Sequence, residues 1–218
     1  MLKLSDNPPL LHPDIAVLSG RAGIIGRWWV AHTKARFEKS FAWDLRAKNI
    51  AYFLPLVHRV TVSAGKKRRV MMPLFPSYVF FRGDEMSRYW ALCTGRLCRV
   101  IEIVDQRGLT AELSAVHRAL AGKAVLEPYP TTAVGRRCRI TAGPFEGLEG
   151  VVVQVNDAAR LVLQVGILGQ GASMEIEADL VEPLEEPRRR HVVKRSGGFG
   201  GSISDGQGNY AVHAERHH

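Results

Sequence analysis

The period of the apolar residues changes several times along the chain, and each change marks a new element. Arg27-Trp28-Trp29-Val30-Ala31-His32-Thr33 is dense in aromatic and β-favouring residues and predicts a strand. Phe37, Phe41 and Leu45 then recur at the spacing of one helical face, with Ala42 beside them and Lys48 on the same side, until Asn49 closes the helix. Residues 50–62 return to strand character, although Pro55 has no N–H to give a central ladder. Ser63 to Lys67 reads as a turn and 68–81 as another extended run, interrupted by Pro73 and Pro76. Two strands joined by a loop containing Gly65 make a hairpin with a cationic tip. Asp84 suits the N-cap of a second helix that carries Met86, Trp90 and Cys93 on one face, and Gly95 ends it. A strand is expected over 97–104. A third helix follows from Thr110, with Leu109, Leu113, Val116 and Leu120 as its stripe and Gly122 as its stop. The order β-α-β-β-α-β-α is that of an α+β domain, an antiparallel sheet with helices laid on one face.

Past residue 122 the pattern changes to strands alone. Glu127-Pro128-Tyr129-Pro130 cannot continue a helix and has little to bury, which predicts a linker over 123–133. Candidate strands follow at 134–141, 148–155, 160–168, 173–178 and 180–184, and the β-branched load of 151–155 and 161–165 decides against helix there. Short strands packed this densely predict a small all-β barrel over 134–186. From Arg188 onward the chain is Arg-rich and then Gly/Ser-rich, so 187–218 reads as a disordered tail. Residues 1–26 read as a flexible leader, and 27–122 as the α+β domain.

Charge sharpens this division. The formal net charge of the 218 residues is +9, yet residues 27–104 hold 15 Lys+Arg against 5 Asp+Glu, whereas 134–187 hold 4 against 9. A basic domain followed by an acidic one points to two different partners. No apolar stretch approaches the roughly 20 residues that span a bilayer, and the leader lacks a basic segment running into an apolar one, so a cytoplasmic protein is expected. Cys93, Cys98 and Cys138 are too irregular for a disulfide framework or a structural zinc site and read as buried small hydrophobes. None of the eight histidines stands in a metal or nucleophile motif. The glycines from Gly143 to Gly150 lead into a strand without Gly-Lys-Ser/Thr, so they are no phosphate loop. Neither a catalytic residue, a metal nor a cofactor is expected.

Two segments carry a resemblance. Val134 to Val152, with Gly143-Pro144-Phe145-Glu146-Gly147 between strands and Gly150 opening the second, looks like a KOW motif. Upstream, Trp28-Trp29-Val30, Glu38, Leu74-Phe75-Pro76-Ser77-Tyr78-Val79-Phe80 and Trp90 are similar in order and spacing to the N-terminal domain of the NusG family. Ser77 stands where that family usually has glycine. Ile167-Leu168-Gly169-Gln170 and Ser173-Met174-Glu175-Ile176 depart from the housekeeping pattern and look more like a specialised paralogue, of the kind that relieves pausing and termination.

The resemblance implies an elongation factor, non-enzymatic and monomeric, that modulates pausing, termination or antitermination. Trp28, Phe75, Tyr78 and Trp90 would line an apolar pocket for the clamp helices of the RNA polymerase largest subunit; the plainer reading is core packing. Arg59, Lys66, Lys67, Arg68 and Arg69 would face upstream or non-template DNA, or else form a solvated hairpin tip. Phe145, Leu148 and Leu168 would present the KOW barrel to a protein partner, a ribosomal protein or a termination factor. The alternative is a ribosome-associated or RNA-binding KOW protein working without polymerase, against which the acidic barrel speaks.

Overall fold

The computed structural model describes residues 7–13, 18, 26–63, 65–130, 135–155 and 158–184. The tail expected over 187–218 and most of the leader lie outside them. In chain order the first domain runs β1 (Leu11–His12), β2 (Arg27–Thr33), α1 (Glu38–Ala47), β3 (Ala51–Phe53), β4 (Leu56–Ser63), β5 (Lys66–Pro73), β6 (Tyr78–Gly83), α2 (Glu85–Cys93), β7 (Leu97–Glu102) and α3 (Gln106–Ala121). Five strands form one antiparallel sheet in the order β1-β3-β6-β2-β7, while β4 and β5 pair only with each other. Pro55 sits where the expected long strand divides into β3 and β4.

Helices cover both faces of this sheet, not one. Trp28 and Val30 of β2 join Phe53, Phe80 and the α3 stripe Leu109, Leu113 and Val116 in one buried cluster. Trp29 and Ala31 point the other way, into a second cluster with Phe41 and Leu45 of α1 and Ala91 of α2. The continuous run Trp28-Trp29-Val30-Ala31 is the cause, because a strand with one wet face alternates apolar and polar residues and this one does not. Each large side chain taken from water adds about 1.5–3 kcal/mol.

Caps fix the helix ends. Asp84 accepts from the Ser87 N–H at 2.8 Å, as expected of an N-cap. The third helix starts four residues before Thr110, at Gln106, with Asp105 accepting from the Gly108 N–H at 2.8 Å. Gly108 lowers helix propensity by about 1 kcal/mol relative to alanine, which hid that first turn from a propensity reading.

The leader is not free along its whole length. Leu11 and His12 pair with Phe53 and Tyr52 as an edge strand, the Leu54 N–H donates to the Leu10 carbonyl at 2.8 Å, and Leu18 is buried in the core. Leu10 and Leu11 had apolar surface to bury despite the surrounding prolines.

At Ser77 the backbone takes φ 66°, the left-handed conformation that glycine adopts without cost. The turn is braced on both sides: Glu38 Oε1 accepts from the Ser77 N–H at 2.7 Å, and the Ser77 carbonyl accepts from the Thr33 N–H at 2.8 Å. Glu38 is itself buried, so its carboxylate has exchanged water for this backbone donor.

The second domain is a six-stranded antiparallel sheet in the order β13-β9-β10-β11-β12-β8, where β8 is Glu127–Pro130, β9 Arg136–Ile140, β10 Glu149–Val155, β11 Ala158–Val165, β12 Gln170–Glu175 and β13 Val181–Pro183. Strand β8 lies inside the expected linker. Tyr129 pairs with Gly171 and Glu127 with Ser173, and Leu126 just before them is buried, so the stretch has more to bury than its prolines suggest. In the turn between β9 and β10, Gly143 and Gly147 both hold positive φ, and the Gly147 N–H donates to the Ile140 carbonyl at 2.7 Å. Gly150 allows a close approach to β11: an added Cβ would lie 2.6 Å from the Val162 carbonyl oxygen. Among the described residues no helix is long and apolar enough to cross a membrane.

Candidate functional site

The four residues expected to line one apolar pocket do not come together. Trp28 and Phe75 are each 1% exposed and belong to the core. The Trp28 indole N–H donates to Thr110 Oγ1 at 3.1 Å, its backbone N–H donates to Gln106 Oε1 at 2.7 Å, and its carbonyl accepts from Gln106 Nε2 at 3.0 Å. Those bonds tie β2 to α3. Trp90 lies across the sheet on α2, 44% exposed, with the Lys48 ammonium 4.4 Å from its ring centre. Such a cation over an indole face is held by the ring quadrupole.

Only Tyr78 sits at the surface above the Phe75 and Phe80 core, half-buried and stacked on His32 with ring centroids 5.0 Å apart. His32 is directly opposite Tyr78 in the β2–β6 ladder. Its partnership with Tyr78 depends on register, which no local spacing reveals. On the other face a groove of about 330 Å³ runs between α1 and α2 beside Trp90, with Asp44 and Arg96 ion-paired on its wall.

The five expected cations all lie on the β4–β5 hairpin and are exposed. Arg68 stands opposite Thr61, Lys67 opposite Val62, Arg69 opposite Val60 and Arg59 opposite Val70. Arg69 and Lys67 therefore share one face with Val60 and Val62, which are 61% and 68% exposed, while Arg59, Lys66 and Arg68 take the other. Both faces of the arm are thus cationic. Among the described residues none of the five forms an ion pair. The exposed valines were legible as an apolar alternation in β4, but that period ordinarily marks a face packed on a core.

In the second domain Phe145 and Leu148 turn toward α3. With His117, Arg118 and Gly122 they line a cleft of about 200 Å³, and an added Cβ on Gly122 would meet the Phe145 ring at 2.5 Å. Arg118 Nη2 donates to the Glu146 carbonyl at 2.7 Å, and Glu112 Oε1 accepts from the Gly166 N–H at 3.1 Å. Leu148 is buried, and Leu168 is partly buried against the core. The exposed apolar residue of that loop is its neighbour Ile167, at 43%.

A family model described as "Transcription termination factor nusG" matches residues 26–119, and one described as "KOW motif" matches 134–163. The "Transcription termination/antitermination protein NusG" of Rickettsia prowazekii is 26% identical over 183 residues, covering 76% of this chain and 94% of that protein. The protein of the same name from Pseudomonas aeruginosa is 27% identical over 180 residues, covering 72% and 98%. Residues 26–119 thus resemble the NusG domain, and residues 134–163 carry a KOW motif.

Both relatives are named for transcription termination and antitermination, which supports a role in transcription. A solved structure titled "Domain interaction in Thermotoga maritima NusG" aligns with 17% identity and a TM-score of 0.42, over 74% of this chain and 98% of that one. Among the described residues no group of three His, Cys, Asp or Glu side chains is placed to hold a metal. Cys93 and Cys98 are exposed and only Cys138 is buried, so the expectation of burial fails for two of the three. Cys93 ends α2 and Cys98 lies on β7, a strand at the sheet edge, where a side chain has fewer neighbours to cover it.

Burial raises the pKa of Glu112, partly offset by the Gly166 N–H, and Asp105 adds to the rise. A carboxyl shifted upward on folding contributes stability below its unfolded pKa and loses it as pH climbs through the raised value. Glu112→Gln keeps the acceptor for Gly166 and removes the charge. Thermal melts of the variant should therefore run above wild type at neutral pH and lose that advantage in acid.

Proposed function

We propose that this chain binds RNA polymerase through its α+β domain and modulates pausing, termination or antitermination, with the KOW domain recruiting a further protein. The observation that carries the reading is the His32–Tyr78 stack, an aromatic platform left at the surface of an otherwise closed core. An aromatic pair over rigid packing is the kind of anchor that helix-binding sites use, and the clamp helices of the largest subunit are the partner proposed for it. Tyr78 keeps the role expected of it. Trp28 and Phe75 support the platform from beneath, and Trp90 faces another direction.

The cationic arm is proposed to lie along upstream or non-template DNA as a secondary contact. The acidic balance of the second domain suits a protein partner there and disfavours RNA. With Phe145 and Leu148 turned toward α3, Ile167 and Leu168 are the apolar residues left to meet it.

A buried aromatic at an interface centre is worth on the order of 2 kcal/mol, whereas an exposed cation gives less than about 1. Tyr78→Ala should accordingly weaken polymerase binding by roughly thirtyfold at every salt concentration. Neutralising Lys66, Lys67, Arg68 and Arg69 should chiefly reduce the salt dependence. Both are read by titrating full-length protein against core polymerase over a salt series. If a folded Tyr78→Ala protein binds as wild type does while the arm variant loses binding altogether, the platform is not the polymerase site.

A further inference from the structure

The arm joins the body of the domain at a cleft of about 510 Å³. Lys39 of α1, His58 and Arg59 of β4, Arg69 and Met71 of β5, and Asn7 line it, and among the described residues no carboxylate does. The Lys39 ammonium donates to the Met71 carbonyl at 2.5 Å, which pins it against the base of the arm and leaves two N–H bonds to give. Glu38, the neighbouring acid, has its Oε1 on the Ser77 N–H. Among the described residues Lys39, Arg59 and Arg69 all lack an ion-pair partner.

Lys39 and Arg69 around one cleft repel each other unless an anion enters, and Lys39 is already partly stripped of water. Its pKa is lowered by that burial, against the raising effect of Glu38. The volume is that of pockets holding whole small molecules. A phosphate with its sugar fits it better than a lone small ion would. The cleft also continues a row: Lys67, Arg69 and then Met71, whose carbonyl holds Lys39, follow one another on the same face of β5, at a repeat of about 6.8 Å. Positive groups at a regular repeat suit a polyanion with regularly spaced phosphates.

We propose that this cleft is a phosphate site at the root of the arm, taking one backbone phosphate of the same nucleic acid that lies along the hairpin. The inference rests on reading the hairpin as a nucleic-acid arm. It adds a fixed end point to an otherwise solvated contact, because Lys39 belongs to the helical body and Arg69 to the arm.

The test uses the full chain, a short labelled DNA duplex and no polymerase, with affinity measured over a salt series. Arg69→Gln and Lys39→Gln should each lower the log-log salt slope by about 0.9, so that the affinity lost between 50 and 200 mM salt shrinks by roughly threefold. Lys66→Gln with Lys67→Gln should lower the slope as well. Should the tip variant change the slope while Lys39→Gln leaves it alone, the arm reading stands and the root site is overturned. Should none of them change it, the arm reading falls with it. Competition by a polyglutamate peptide as effective as that by unlabelled duplex would make the cleft a protein-docking site and overturn the inference. Lys39→Gln also removes the bond to Met71, so if it fails to fold, His58→Glu decides: it keeps that bond and sets a carboxylate in the cleft, and an unchanged duplex affinity overturns the root site.

Discussion

Phe75→Ala is expected to lower the free energy of unfolding by about 3–5 kcal/mol, the cost of deleting a large aromatic from a packed core. The ring is almost wholly enclosed and meets Phe80 edge-on, with centroids 6.1 Å apart and planes at 89°. Neighbours held by a sheet on one side and α3 on the other cannot close the cavity. Chemical denaturation of the purified variant reads the loss directly. A variant with an unchanged denaturation midpoint but weakened polymerase binding would mean that Phe75 is a contact and not a support. The comparison separates the two roles that the sequence leaves open for this residue.

Glu38→Ala should cost about 1.5–3 kcal/mol, the range for a hydrogen bond to a charged group, and its effect should appear at Ser77. Without the carboxylate the Ser77 N–H has lost its acceptor while the residue is still held at positive φ. Ser77→Gly is the control. It removes a left-handed cost of about 1–2 kcal/mol and gives back about 0.4–1 through the freer unfolded chain. In the Glu38→Ala background Ser77→Gly should therefore recover part of the loss. No recovery would show that Glu38 acts elsewhere than on this turn.

Elements with strong internal patterns were legible from the chain: α1, from the spacing of Phe37, Phe41 and Leu45; the Asp84 cap; the hairpin; and the Gly143–Gly147 turn. What escaped depends on partners distant in sequence. Leu11 and His12 become a strand only because β3 offers an edge, and Glu127–Pro130 only because β12 does. The pocket assignment failed at Trp90 for a related reason, since its place relative to Phe75 is set by which face of the sheet α2 covers. His32 carries no signal of its own. Its partnership with Tyr78 arises from ladder register, and register belongs to the pair of strands. The cations were visible as a run, but that Lys39 would join Arg69 at the arm's root was not, because α1 reaches β5 only in the folded chain.

The adjacent indoles of Trp28 and Trp29 give the protein built-in optical reporters. All four tryptophans, 28, 29, 43 and 90, fall in the first domain, and the second has none. Trp28 faces the α3 layer and Trp29 the α1/α2 layer, with the Arg27 guanidinium 4.2 Å from the Trp29 ring centre. Trp90 emits from the surface under Lys48. Intrinsic emission therefore follows the melting of the α+β domain and the solvent exposure of α2. Unfolding of the KOW domain by itself would pass unseen in that channel, and following it takes a tryptophan introduced at Tyr129 or a far-ultraviolet signal recorded in parallel.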